Sequence, residues 1–165
     1  MNTIQELANT LQDLPLAITI SENAVLFPWI ESFHVLAISL VIGSIFLVDF
    51  RLTGIAFKNI EYAAFSRVLT KVTWGGFCLA ALTGSLLFIS NATTYLNNTA
   101  FLIKFVFLGL AGMNMLFFQF VTSREMNVWG HPGYRVPIGA KLAGFFSLSF
   151  WTLVVACGRW VGFTL

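Results

Sequence analysis

The chain has 165 residues, of which 58% are hydrophobic and only 10% charged, with a formal net charge of +2. A soluble domain carries about 25% charged residues to cover its surface, so this composition excludes an ordinary water-soluble globule and assigns much of the surface to lipid. The small, unclustered positive charge also gives no basis for nucleic-acid binding.

The N-terminal segment sets Ile4, Leu7, Leu11 and Leu14 on one helical face, with Asn2, Gln5, Glu6 and Asp13 mostly elsewhere. That pattern predicts an interfacial amphipathic helix on the outer membrane surface. A solvated tail is the plainer alternative. Pro15 is expected to end the helix. No positive n-region precedes an apolar core, so the segment does not read as a cleavable signal peptide.

A spanning helix needs about 20 mostly apolar residues. Four such stretches follow, at about 25–49, 70–90, 100–121 and 138–162. The expected fold is all-α: a polytopic four-helix membrane bundle over residues 23–165, preceded by the interfacial segment 1–22. Pro28 is tolerable in the first turn of the first span. The 18 Phe residues suit lipid-facing and helix-packing positions. Cys78 and Cys157 both fall in apolar stretches and read as small buried hydrophobes, without disulfide or metal spacing.

Small residues recur every four positions, as Gly76, Ala80 and Gly84 in the second span and Gly139, Ala143 and Ser147 in the fourth. Such seams let helix backbones approach closely in lipid. They serve the bundle interior or a homo-oligomer contact equally well.

Lys and Arg in the connections set the orientation. The first connection carries Arg51, Lys58, Arg67 and Lys71, and the third carries Arg124, Arg135 and Lys141. The second has no charge, and the N-terminal segment is purely acidic, with Glu6, Asp13 and Glu22. Both termini are therefore expected outside, and the positive loops inside, a bacterial inner membrane. Trp29, Tyr95 and Trp160 on the outer side, with Trp129 and Tyr134 on the inner, form an aromatic-belt pattern.

Depth then isolates a polar layer. His34 lies roughly 14 Å below the outer start of the first span, and Glu31 one turn above it. Lys104 lies about 6 Å below the outer start of the third span, and Arg159 at a similar depth in the fourth. Ionisable groups there are costly and usually face the interior or a cavity. The plain account has Lys104 and Arg159 snorkelling outward, Glu31 pairing with one of them, and His34 as a neutral core histidine. The sharper account is haem b near the outer face, with His34 as axial ligand and Lys104 and Arg159 holding the propionates. Glu31 then orients His34 or pairs with a cation. His131, on the inner side, cannot reach the same iron within one chain. The remaining position falls to a Met, to water or to His34 of a second subunit, or the iron stays five-coordinate.

A metal ion on His34 and Glu31 is a third account, since Glu-x-x-His recurs in carboxylate-bridged metal bundles. No Met or Cys cluster lies beside that pair. Asp49 and Arg51 are expected to form a local ion pair at the inner end of the first span, and Asn114 to hydrogen-bond a neighbouring helix.

The run Phe27-Pro-Trp-Ile-Glu-Ser-Phe-His34, with Gly43 and Asp49-Phe-Arg51, resembles a family of small uncharacterised four-helix bacterial inner-membrane proteins. Thr83-Gly84, Phe101-Leu-Ile-Lys104, Ala111-Gly-Met-Asn114, Ser147-Leu-Ser-Phe-Trp151 and Gly158-Arg159 extend the resemblance over nearly the whole chain. More distantly, the early His, the following Thr-Gly and the Lys with a later Asn are similar to the membrane domain of copper-resistance protein D. That likeness implies copper handling, or a role like a b-type cytochrome, near His34 and Lys104.

The sequence thus points to a membrane protein, expected to be a homo-oligomer, that binds haem b for electron transfer or redox sensing with a redox partner on the outer side. Copper or other metal-ion handling is the alternative, and a cofactor-free structural or accessory subunit is the third class. Enzyme activity has the least support, because no nucleophile–base pair or phosphate-cradling motif appears.

Overall fold

The computed structural model of the chain describes residues 3–122 and 129–164, and every regular element among them is a helix. In chain order these are α1 (Thr3–Gln12), α2 (Pro15–Glu22), α3 (Leu26–Thr53), α4 (Tyr62–Ser90), α5 (Ala92–Leu96), α6 (Thr99–Phe117) and α7 (Ile138–Thr164). A π-helical turn, Phe118–Thr122, continues α6. Four helices are long and apolar enough to cross a membrane: α3, α4, α6 with its extension to Val121, and α7, at 28, 29, 23 and 27 residues. Their outward faces carry Leu36, Val68, Leu82, Val106 and Leu153, a surface that suits lipid and not water.

Local chemistry explains where the helices begin and end. Pro15 both stops α1 and opens α2, since its fixed φ and missing N–H suit a first helical position. The short α2 was not anticipated from the sequence. The Asn23 side chain accepts from the N–H groups of Val25 and Leu26 and turns the chain into α3. Gly54 closes α3 in the left-handed conformation, at φ +78°, with its N–H bonded to Phe50 O. Asn98 caps α6 by accepting from the Phe101 N–H at 3.2 Å.

The second spanning helix begins at Tyr62, not near residue 70. Hydropathy locates the lipid-embedded window, whereas the helix continues past it. Nothing between Tyr62 and Lys71 is a helix breaker, so Arg67 and Lys71 ride on exposed faces of the first turns of α4.

α3 packs against both α4 and α7, and α7 packs against α6. Small residues set these approaches. A Cβ on Gly76 of α4 would lie 3.0 Å from Val41 Cγ2 and 3.2 Å from Ala37 O of α3. One on Gly144 of α7 would lie 3.0 Å from Leu52 Cβ and 3.2 Å from Asp49 O. Gly76 of the second-span seam thus faces α3, and in α7 Gly144 and the seam residue Ser147 face the Asp49 turn of α3. Ser44 and Thr73 join hydroxyls at 2.7 Å across the α3–α4 seam. Asn114 donates to Ala143 O at 2.9 Å and ties α6 to α7, as its position in the sequence suggested.

α4 and α6 meet through aromatic side chains at both ends. Phe88 stacks on Phe101 with centroids 5.7 Å apart and planes within 5°. At the other end Tyr62, Phe118 and Trp129 pack together. Trp129 is only 4% exposed, so it belongs to a small core with Leu52, Tyr62 and Ala140 rather than to an interfacial belt. Trp29 and Trp160 do stand exposed. Cys78 is also exposed on α4, not a buried hydrophobe, and both cysteines are free.

The expected Asp49–Arg51 pair is absent. Arg51, 2% exposed, donates instead to Ile60 O at 2.9 Å from Nε and to Gly130 O at 3.4 Å from Nη2. Gly130 O also accepts from the Tyr62 N–H at 2.9 Å. One buried guanidinium therefore ties together the two connections at this end. At the opposite end α1 packs on α5 through buried Ala8 and Ala92. Thr93 donates to Asn9 and Gln12, while Ile4 and Leu7 of α1 remain exposed.

Candidate functional site

His34 projects from the first third of α3 into the α3–α4 seam, where Gly84 leaves a notch for it. A Cβ on Gly84 would lie 2.8 Å from His34 Cε1, so a larger residue there would displace the imidazole. Its Nδ1 lies 2.9 Å from Thr83 Oγ1, and the ring is also hydrogen-bonded to the Ala80 backbone carbonyl of α4.

The Thr83 hydroxyl already donates to Leu79 O at 2.7 Å, one helical turn back. Its oxygen is therefore left to accept from the histidine. That arrangement favours the tautomer with its proton on Nδ1. A ring nitrogen fixed by a hydrogen bond on its opposite member is the arrangement that prepares histidine as a ligand or base.

Thr83 is the residue that sequence reasoning missed as a participant, for it entered only through the Thr83-Gly84 resemblance. The available signal was its position beside the Gly76, Ala80, Gly84 seam. Glu31, expected to orient His34, does not do so. It is exposed one turn earlier on α3, close enough to act on His34 and Tyr95 only through space.

Lys104 approaches from α6. Its stem crosses α7 at Gly158, where an added Cβ would sit 3.6 Å from Lys104 Cδ. Its ammonium lies 4.8 Å from the Phe101 ring centroid and 5.6 Å from that of Phe105. Stacking on two aromatic faces stabilises a cation that has left bulk water. Lys104 is also within electrostatic range of His34. Arg159 takes a different position. It is exposed on the last turns of α7, with Cζ 5.3 Å from the Phe163 ring centroid.

Tyr95 lies at the same end of the bundle, half-buried against Phe88 and Phe101. Burial and then the Glu31 carboxylate hold its phenol above the usual range, so it remains a neutral hydrogen-bonding group.

His131 lies elsewhere. It is exposed in the connection before α7, its ring 6.4 Å from that of Tyr134. The neighbouring Gly130 is bonded to Arg51, about 25 Å along α3 from His34 at the helical rise. Of the sequence-predicted residues, then, His34 and Lys104 share the inner side of one polar layer, while Glu31 and Arg159 stand on its exposed rim. Among the described residues no group of three or more His, Cys, Asp and Glu could hold a metal ion. A metal on His34 would have to take most of its ligands from outside these side chains.

No curated protein and no solved structure matches the chain. The profile of one family matches it over residues 17–164, nearly its whole length. The chain belongs to that family, DUF6644, a family of unknown function.

Proposed function

We propose that the protein is a multi-pass four-helix bundle of the bacterial inner membrane, with both termini outside, that binds haem b near the outer face through Nε2 of His34. The observation that supports this reading is the Thr83–His34 hydrogen bond, which holds the imidazole at Nδ1 and favours Nε2 as the ligand atom. Lys104 supplies a cation at the same depth for a propionate, and Arg159 a second on the outer rim. The bound group would supply one-electron chemistry, and the protein's role would be electron transfer or redox sensing.

The orientation rests on charge. Lys58, Arg67, Lys71, Arg135 and Lys141 gather at the Arg51 end, all exposed, whereas Glu6, Asp13 and Glu22 mark the other. The other histidine, His131, is exposed in the connection before α7 and supplies no second axial imidazole at this layer. A second copy, presenting its own His34, is the partner that best completes it.

The test is an absorbance spectrum, oxidised and dithionite-reduced, of protein purified in mild detergent from a haem-sufficient host. A Soret band with reduced α and β bands at stoichiometric haem supports the reading. Folded protein without a Soret band overturns it, and metal analysis of the same sample then separates a copper or other metal-ion protein from a cofactor-free accessory subunit.

Thr83→Val tests the carrying observation. It keeps the shape but removes the hydroxyl, so the imidazole loses the bond that favours this tautomer. Haem affinity is expected to fall about 10–100-fold, as when the outer partner of a ligating histidine is lost. Haem titration with unchanged affinity in the valine variant would remove Thr83 from the site.

A further inference from the structure

We propose that Asp49 is a proton-binding site at the inner end of the α3–α7 seam, held as a neutral carboxylic acid with an exchangeable proton. This inference is independent of haem binding. Asp49 is 5% exposed, and its Oδ2 is buried without a hydrogen-bond partner. Every other carboxylate among the described residues, at Glu6, Asp13, Glu22, Glu31 and Glu61, is exposed.

Among the described residues no cation faces Asp49, and its hydrogen-bond partner is the neutral Ser147 hydroxyl. On its own helix the one nearby cation, Arg51, is turned to the carbonyls of Ile60 and Gly130. From α4 comes the Tyr62 ring, itself buried, and from α7 the Ser147 side chain. Gly144 brings the α7 backbone against the Asp49 carbonyl and seals that flank. With one oxygen bonded only by a neutral hydroxyl and the other buried without a partner, a carboxylate in such surroundings is more costly than a neutral carboxyl, which favours keeping the proton on.

A second buried polar atom without a partner lies at the same end. The Trp129 indole N–H has no partner, and it sits in the Leu52–Tyr62–Trp129–Ala140 core beside the same Tyr62 ring. An unsatisfied acceptor and an unsatisfied donor that both neighbour Tyr62 are groups a visiting water molecule would satisfy. Water reaching that point carries the proton on and off Asp49 from the Arg51 side of the membrane.

Infrared spectroscopy of the full chain in lipid nanodiscs tests this directly. At neutral pH the wild type is expected to show the carbonyl stretch of a protonated carboxylic acid, shifted downward in heavy water. Asp49→Asn is expected to lose the band. The chain has two aspartates, Asp13 and Asp49, so heavy-carbon labelling of the aspartate carboxyls moves the band without any substitution. That second measurement stands even where the asparagine variant fails to fold. A wild type without the band, or a band unmoved by aspartate labelling, overturns the proposal.

Discussion

Replacing His34 with alanine is expected to abolish the Soret band and the reduced α and β bands, while His131→Ala leaves both at full strength. The contrast follows from geometry. His34 is the one histidine with a ring nitrogen pre-set by a neighbouring helix, and His131 is exposed about 25 Å away along α3. The loss should be complete and not graded, because on the proposed reading His34 would supply the bond to iron, whereas Lys104 and Arg159 would only neutralise the propionates. Lys104→Ala should by contrast weaken haem retention without removing the band, since a propionate can still reach Arg159 or water. The wild type and the variants must unfold at similar temperatures for the comparison to hold. Undiminished absorbance in His34→Ala would sink the assignment of the ligand, and equal losses in the His34 and His131 variants would point to a fold defect instead.

The spanning helices were legible because hydropathy is a bulk property of about 20 residues and needs no partner to be read. The ends were less so. α4 starts eight positions before the apolar window because helix propensity, not lipid, governs its first turns. α2 escaped notice because Pro15 was read only as a stop, although it is also a favourable first residue.

The pairing of Asp49 with Arg51 failed for a geometric reason. Once α3 extends to Thr53, the two sit at i and i+2 and point to different flanks, Asp49 toward α7 and Arg51 toward the connections.

The site shows the same division. His34 and Lys104 were legible as ionisable groups placed too deep for chance, whereas their partners depended on which helices touch. The segments that carried the family resemblance turn out to meet in pairs: His34 with Thr83 and Gly84, Lys104 with Gly158, and Asp49 with the α7 turn at Gly144 and Ser147. A single sequence gives each half of such a pair but not the contact between them.

Arg51→Met is the substitution expected to damage the fold most at the inner end. The guanidinium is 2% exposed, and its planar fork bonds Ile60 O and Gly130 O at once. Hydrogen bonds to a charged group contribute about 1.5–3 kcal/mol each, and the longer of these two lies at the weak end. Methionine fills much of the volume but leaves Ile60 O without this donor and Gly130 O with only the Tyr62 N–H, so a loss of about 1–3 kcal/mol is expected. Arg51→Lys should recover little, because an ammonium cannot reproduce the fork that spans both connections. Arg67→Met, exposed on α4, should change stability by less than about 0.5 kcal/mol. Thermal unfolding in detergent ranks the three. Proteolysis of the connection at residues 54–61 reports whether the damage is local, since losing the Ile60 bond should open it before the helices separate. An Arg51→Met protein as stable as Arg67→Met, with that connection still resistant, would show that the two loops are held by the Tyr62–Trp129–Phe118 packing alone.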